Sequence, residues 1–574
     1  MKPLLLSIFA VVASAAHPYC LPGQPCFPSE SALSSFNASV NGRLIAPIPA
    51  GSPCYETTYN AEACKAAASK IGDFEFRVSQ PGGVMYTNFE LGNTTKNPGC
   101  PLPELPKDGS APPPIAGDCT LGQTASYVVN VTDAVHIAQA VRFAAKYNLR
   151  FRIKNSGHDY TGRSTGEGAF TIWTHYINDA QLIKAFNPCG GYGVGQDVIS
   201  AGAGVNVAQL YEASGQNGVV TIGGYTATVG VAGGYVLGGG TGPFGALFGL
   251  AVDNVIQFDV VTADGEQKIA NACSNPELFW ALRGGGGAFA VVTRAYFRAY
   301  PAFTAVNTFF GLIVCSDKDN YAKALETLVD QQGPLREAGQ LGIWSANKAL
   351  RTITIISFRA FNTSSIASPE DAVRLFKPVL ASSSCKATNK TAQFTGRSSW
   401  NDAYKAFVLP IISQGGPVGI NILNISRMIK PAMAEVGSQM KKLAKYIADL
   451  PPEVSFLWQN DIGVATPDRY VAADSTAVNP RWRETFAFIN APVTGPRNGT
   501  VTSQQLAEYG EVFKASDEEF GSEPYYNEEW SLDVEDWQAR SWGSNYARLL
   551  EIKNQVDPDR VFNCPRCVGS EDGY

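Results

Sequence analysis

Histidine is scarce in this chain. His17, His136, His158 and His175 are the only four among 574 residues, so imidazole chemistry rests on very few groups. Basic clusters are missing as well: the net charge is −6, and no block of Lys or Arg could pair with a phosphate backbone, which excludes nucleic acid as a partner. After the N-terminus no apolar run approaches the ~20 residues needed to cross a bilayer, so no membrane association is expected. Cys564-Pro-Arg-Cys567 has no second pair of ligands nearby, which removes a zinc reading and leaves no metal site.

The N-terminus carries an export pattern: Lys2, an apolar run from Leu4 to Val12, then Ala13-Ser14-Ala15. It predicts a signal peptide over residues 1–15, cleavage after Ala15 or Ala16, and a secreted, extracellular protein. All 12 cysteines lie beyond that point, and in an exported chain an even set reads as disulfides. Cys20, Cys26, Cys54, Cys64, Cys100 and Cys119 are expected to pair within their own cluster, and Cys564 with Cys567 or with a distant partner. Asn37, Asn93, Asn130, Asn362, Asn389, Asn424 and Asn498 head Asn-x-Ser/Thr acceptors, so N-glycans are expected on exposed loops. Asn130, at a tight strand-to-helix junction, suits a glycan least.

With 45% apolar residues the chain can bury several cores, enough for roughly three to four domains. Residues 16–120 are rich in Pro, Gly, Cys and Asn and include Ala111-Pro-Pro-Pro-Ile115; they read as an irregular, stapled lead-in with little chemistry. A strand pattern begins at Ala125–Val129, Asn130-Val-Thr-Asp133 follows as a cap, and Val135, Ala138, Val141 and Ala145 mark one helical face. His136 falls on the opposite face and reads as a solvated surface histidine. A second strand over Leu149–Ile153 leads into Asn155-Ser-Gly-His-Asp-Tyr-Thr-Gly-Arg163.

That loop can hold a pyrophosphate. Main-chain N–H groups of consecutive turn residues converge on an anion, and Gly157 and Gly162 remove side chains that would block its approach. His158 then sits beside whatever the loop binds. From Gly191 to Gly287 glycine dominates, so backbone passes close to something large and flat or turns repeatedly. Gly240-Thr-Gly-Pro-Phe-Gly245 fits Gly-x-Gly-x-x-Gly, but glycines precede it where a strand belongs and Pro243 sits inside the turn, which argues against a Rossmann fingerprint. Alternating runs such as Thr352–Phe358 and helical stretches such as Ala432–Leu450 mark a second α+β domain.

Taken together, the His158 loop, the glycine-rich middle, Phe279-Trp-Ala-Leu-Arg-Gly-Gly-Gly-Gly287 and the tail Asn545-Tyr-Ala-Arg-Leu-Leu550 resemble the berberine bridge enzyme-like branch of the vanillyl-alcohol oxidase flavoproteins, in its fungal secreted isoamyl alcohol oxidase-like form. The resemblance implies an α+β fold: a two-lobed PCMH-type FAD-binding domain over 121–300, an inserted substrate domain over 301–524 built on an antiparallel sheet with helices, and a C-terminal segment, 525–574, returning to the FAD domain. It implies that His158 is joined covalently to the flavin's 8α-methyl carbon, which suits a neutral imidazole nucleophile. Many relatives add a cysteinyl link, but the matching position here is Thr226, so a single link is expected.

By the same resemblance Asn155, Ser156, Gly157, Asp159, Gly162 and Arg163 line the pyrophosphate and ribose. Gly224, Thr228, Gly230, Gly234 and Gly240 pass the flavin closely, Val291 and Val292 lie against the adenine or the ring edge, and Tyr526 and Asn527 touch the isoalloxazine. The reaction implied is hydride removal from an alcohol-type donor while a base takes the hydroxyl proton, with dioxygen as acceptor and hydrogen peroxide as product. Gly224 matches a small residue that admits dioxygen. Tyr526 is the first candidate base, with Glu528 and His175 as alternatives; the default for Glu528 and Glu529 is solvation, and for His175 a hydrogen-bonded place in a β segment. Two other readings stay open: an oxidative cyclase or dehydrogenase of secondary metabolism on a bulky aromatic or polyketide substrate, and a flavin-loaded binding protein without turnover.

Overall fold

The computed structural model describes residues 19–190, 195–361, 369–380, 385–388, 399–415, 418–430, 437–452, 454–461, 472, 474–495 and 501–572. The expected signal peptide and the acceptors Asn362, Asn389 and Asn498 lie outside them.

Short β-branched runs and one well-capped helix build the first layer. The strand Tyr127–Asn130 pairs in parallel with Phe170–Trp173, which pairs in parallel with Phe151–Lys154, and Leu44–Ile45 closes the edge. Between Tyr127–Asn130 and Phe151–Lys154 runs the helix Ala134–Lys146, capped by the Asp133 carboxylate, which accepts from His136 N at 2.9 Å. Its buried face is Ile137, Ala138, Ala140, Val141 and Ala144, whereas Val135 and Ala145 are exposed. The apolar face is thus rotated from the one the sequence pattern suggested. His136 is buried, with Nε2 3.0 Å from Asn41 Nδ2 and Nδ1 3.2 Å from Thr132 Oγ1. The expectation of a solvated histidine fails because the N-terminal segment folds back over this helix.

A five-stranded antiparallel sheet forms the second lobe, in the order Gln267–Asn271, Val255–Val261, Val291–Arg298, Gln196–Gly202, Ala180–Phe186. The third sheet has seven antiparallel strands and spans Ala305–Cys315 to Ala487–Asn490 in the chain, with Leu341–Asn347, Thr352–Phe361 and Ser455–Gln459 at its centre. Strand residues alternate between faces. Trp344, Ala346, Ile353, Ile355, Phe456 and Trp458 therefore bury against the helices Lys318–Asp330 and Gly437–Asp449, while their neighbours point the other way.

Six disulfides use all 12 cysteines: Cys20–Cys26, Cys54–Cys64, Cys100–Cys119, Cys189–Cys273, Cys315–Cys385 and Cys564–Cys567. The lead-in is less irregular than its composition suggested, since capped helices form at Glu30–Ser39, Ala61–Ala68 and Phe74–Val78. Among the described residues no helix is long and apolar enough to cross a membrane, and no group of three or more His, Cys, Asp or Glu could hold a metal ion. Asn424 is buried at 2% exposure, so its acceptor cannot carry a glycan in this fold.

The C-terminal helix Tyr546–Val556 is fastened by a cation–carboxylate pair with no solvent exposure: Lys553 Nζ donates to Asp557 Oδ2, to Ala288 O at 2.6 Å and to Phe562 O at 2.7 Å. Asp557 also accepts from Val561 N and Phe562 N at 2.8 and 2.9 Å. Removing one partner strands a buried charge. Asp557→Ala is expected to cost about 3–5 kcal/mol, read as a clear fall in the thermal midpoint; an unchanged midpoint would show that the pair carries no stability.

Candidate active site

A cavity of about 700 Å³ lies between the seven-stranded sheet and the two smaller sheets, within the size range of small-molecule and cofactor sites. One end is walled by the loop after Phe151–Lys154, by the glycine segments at Gly230–Gly234 and Gly286–Gly287, and by Phe562-Asn563-Cys564 of the tail. The other end is walled by the large sheet. Phe74, Met85 and Tyr86 also line it, so the N-terminal segment contributes to the site after all. Sequence gave no sign of this, because the contact depends on how three disulfide-stapled turns fold back.

His158 sits at the junction of the two ends. Gly157 holds a left-handed conformation (φ 81°) that places the next side chain over the cavity, and a Cβ there would come within 2.9 Å of Gly83 O. The imidazole Nε2 lies 2.8 Å from Thr228 Oγ1, and its ring stacks on Phe74 with centroids 5.9 Å apart. Nδ1 has no hydrogen bond among the described residues. Burial pushes the ring's pKa down to about 3, so it is neutral at physiological pH and its free nitrogen is nucleophilic.

Asp159 folds the loop upon itself, accepting from Thr161 N at 2.9 Å and Arg163 N at 2.8 Å and pairing with the Arg163 guanidinium at 2.8 Å. Arg163 in turn lies 3.9 Å above the Tyr526 ring. Arg163 Nε and Asn155 Oδ1 are buried without partners, which suits a polar ligand in the adjoining space. Arg152 and Arg163 are the only cations among the described lining residues, and both stand at this end. A Cβ on Gly234 or Gly287 would meet nothing within 4 Å: the backbone there borders open cavity. Two arginines and bare backbone at one end of the cavity fit a dinucleotide with its pyrophosphate near the loop.

Most of the sequence candidates meet here. Asn155, Ser156, Gly157, His158, Asp159, Arg163, Gly224, Gly230, Gly234, Val292, Tyr526, Asn527 and Glu528 line the cavity. Five candidates stand behind its wall. Gly162 packs under the Phe89 ring, and Gly240 faces Ala251 and Tyr235. Val291 belongs to the first lobe's core, because alternation along Val291–Arg298 turns only Val292 toward the cavity. Thr228 is hydrogen-bonded to His158 and does not itself line the cavity. His175 stacks on Trp173 (5.6 Å, 8°) and does not line the cavity.

Toward the large sheet the polar groups change character. Glu528 is half-buried, Asn490 Nδ2 donates to its Oε2 at 2.7 Å, and Asn424 Nδ2 donates to Asn490 Oδ1 at 2.8 Å. Burial raises the Glu528 carboxyl to about 7, with Asn490 opposing the shift. Glu529 is buried too, accepting from Arg427 Nη1 at 2.9 Å and Ser426 N at 2.6 Å. Neither glutamate is the solvated side chain that the sequence default gave; the tail inserts against the sheet, which its composition did not announce. The Tyr526 hydroxyl lies 3.6 Å from Cys567 Sγ, and burial pushes its pKa up to about 12 although Arg163 opposes this.

One polar pair escaped sequence reasoning. The Tyr225 hydroxyl, on the cavity wall, donates to Asp461 Oδ2, and burial raises that carboxyl to about 8. Asp461 follows the strand Ser455–Gln459 in a stretch without a motif; for Tyr225 the one available signal is its place between Gly224 and Thr226.

Two family models match the chain, one described as FAD binding domain over residues 125–271 and one as Berberine and berberine like over residues 523–569. An uncharacterized FAD-linked oxidoreductase of Arthroderma benhamiae is 31% identical over 97% of this chain and 95% of its own. The bifunctional decalin synthase calF of Penicillium decumbens is 30% identical over 100% of this chain and 98% of its own. The VAO-type flavoprotein oxidase VAO615 of Thermothelomyces thermophilus is 30% identical over 96% and 92%. The crystal structure of VAO-type flavoprotein MtVAO615 from Myceliophthora thermophila superposes with a TM-score of 0.80 at 27% identity, covering 96% of this chain and 97% of that one. With its two-lobed base, roofing sheet and FAD-binding match, the chain belongs to the berberine bridge enzyme-like, VAO-type family of FAD-linked oxidoreductases.

Proposed function

We propose that the protein is a secreted oxidase that removes hydride from an alcohol-type donor, uses dioxygen as acceptor, and holds FAD by a single covalent bond from His158. The observation that carries this reading is a carboxyl titrating near 7, Glu528, in the same cavity as a neutral and unpartnered imidazole nitrogen. Bound FAD would supply the hydride acceptor and the route by which electrons reach dioxygen.

The chain's own groups divide the remaining work. Arg163 and the loop amides would hold the pyrophosphate, Thr228 fixes the His158 ring through Nε2, and Nδ1 is free to bond the flavin's 8α-methyl carbon, which would give up a proton while its two electrons leave through the flavin to dioxygen. Thr226 offers no thiol and every cysteine is in a disulfide, which supports one link rather than two. Glu528 takes the donor's hydroxyl proton; it suits the role better than Tyr526, whose phenol titrates far above neutrality. Six disulfides support an extracellular setting. A second reading, oxidative cyclisation of a bulky precursor, is favoured by the full-length likeness to a decalin synthase; a ring-closed product in place of an aldehyde or ketone would decide for it.

Two experiments test the proposal. The acid-precipitated and washed protein is expected to stay yellow, and His158→Ala to release its pigment under the same treatment; a colourless wild-type pellet removes the covalent bond. In anaerobic stopped-flow reduction by an alcohol, the rate is expected to rise with pH through about 7 and then level, because the base works only when deprotonated. Glu528→Gln is expected to slow reduction at least roughly 100-fold and to flatten that limb. A limb that survives the substitution would take the role away from Glu528.

A further inference from the structure

The cavity-facing side of the large sheet is graded. Strand register lines up three rows across Thr352–Phe361, Leu341–Asn347 and Ser455–Gln459: Ile356–Ile343–Gln459, then Thr354–Ser345–Leu457, then Thr352–Asn347–Ser455. All nine line the cavity. The first row is buried and mostly aliphatic. The third is half-buried, wholly polar and uncharged, and abuts the turn Lys348–Arg351, where Leu350 is 66% exposed. The mouth therefore lies at the third row. Four residues of strand separate the rows at the two ends, about 13 Å at ~3.3 Å per residue.

Charge follows the same gradient. Among the described residues lining this half no Lys or Arg appears, and Glu528 is the one carboxylate, standing beside the second row through Asn490, which pairs with Leu457. Ile411 and Ile412 add aliphatic wall. An anionic donor would lose its hydration here without gaining a counter-ion and would face Glu528 as well.

Resting on the reading of this cavity as the donor site, we propose that the donor is an uncharged, elongated alcohol with an oxygen-bearing far end. Its oxidised hydroxyl lies by Glu528 and Gln459, its carbon skeleton runs along Ile343, Ile356 and Leu457, and its distal hydroxyl, ether or carbonyl oxygen meets Thr352, Asn347 and Ser455. These last three set specificity without touching the reacting carbon.

The test compares three straight-chain probes long enough to reach from Gln459 to Asn347: a terminal diol, the matching mono-alcohol and the matching hydroxy acid. Each is bound to the anaerobic holoenzyme in equilibrium dialysis. The diol is expected to bind roughly fivefold tighter than the mono-alcohol, for one more hydrogen bond, and at least roughly tenfold tighter than the hydroxy acid. Ser455→Lys, which places a cation in the outer row, is expected to tighten the hydroxy acid at least roughly tenfold over wild type. Equal binding of diol and mono-alcohol, hydroxy acid binding as tightly as diol, failure of all three to bind, or no response to Ser455→Lys each overturns the proposal. The expected order without anaerobic bleaching of the flavin would sink the oxidase reading and leave this preference standing. Bleaching by alcohols without the order would do the reverse.

Discussion

The buried pair of Arg427 and Glu529 decides where the tail enters the site. Arg427 has no exposed surface, and its guanidinium also meets Asp517. The Glu529 carboxylate is shared between this arginine and Ser426 N, so the strand Ser426–Ile429 and the tail are locked at adjacent residues. Stranding either charge would cost about 3–5 kcal/mol. Because Glu529 is anchored in the sheet, Glu528 is turned to the cavity and Tyr526 comes to lie beneath Arg163. Glu528 and the His158 loop thus share one mechanical reference, although they are about 370 residues apart in the chain.

The two ends of the cavity follow opposite physical rules. At the loop end the protein supplies positive charge and bare backbone, with side chains withheld where a flat ligand must approach. At the sheet end it supplies full-sized side chains but almost no charge. Desolvation then acts selectively: it lowers the imidazole of His158, keeping it neutral, and raises the carboxyl of Glu528 to about 7. One enclosed space sets both groups with no metal-binding cluster among the described residues.

How much of this could be read from the chain follows from the range of each interaction. The loop at His158 was legible because its glycines and polar residues are contiguous, and the early cysteines because their pairing is local. The buried face of Ala134–Lys146 was misjudged since its outer side is covered by residues about 100 positions earlier. Val291 and Val292 could not be told apart until strand alternation was fixed. Tyr225 and Asp461 meet across 236 positions, and Asn424, Asn490 and Glu528 across 104, which no local pattern encodes.

Asn424 heads an acceptor for N-linked sugar, yet its amide nitrogen is spent on Asn490 and on the Glu528 carbonyl. Oligosaccharide transfer acts on that same nitrogen while a chain is still unfolded. A sugar on that nitrogen would displace at least one of these hydrogen bonds and add bulk where Asn424 is buried, so the acceptor and the seat of the tail exclude each other in this fold.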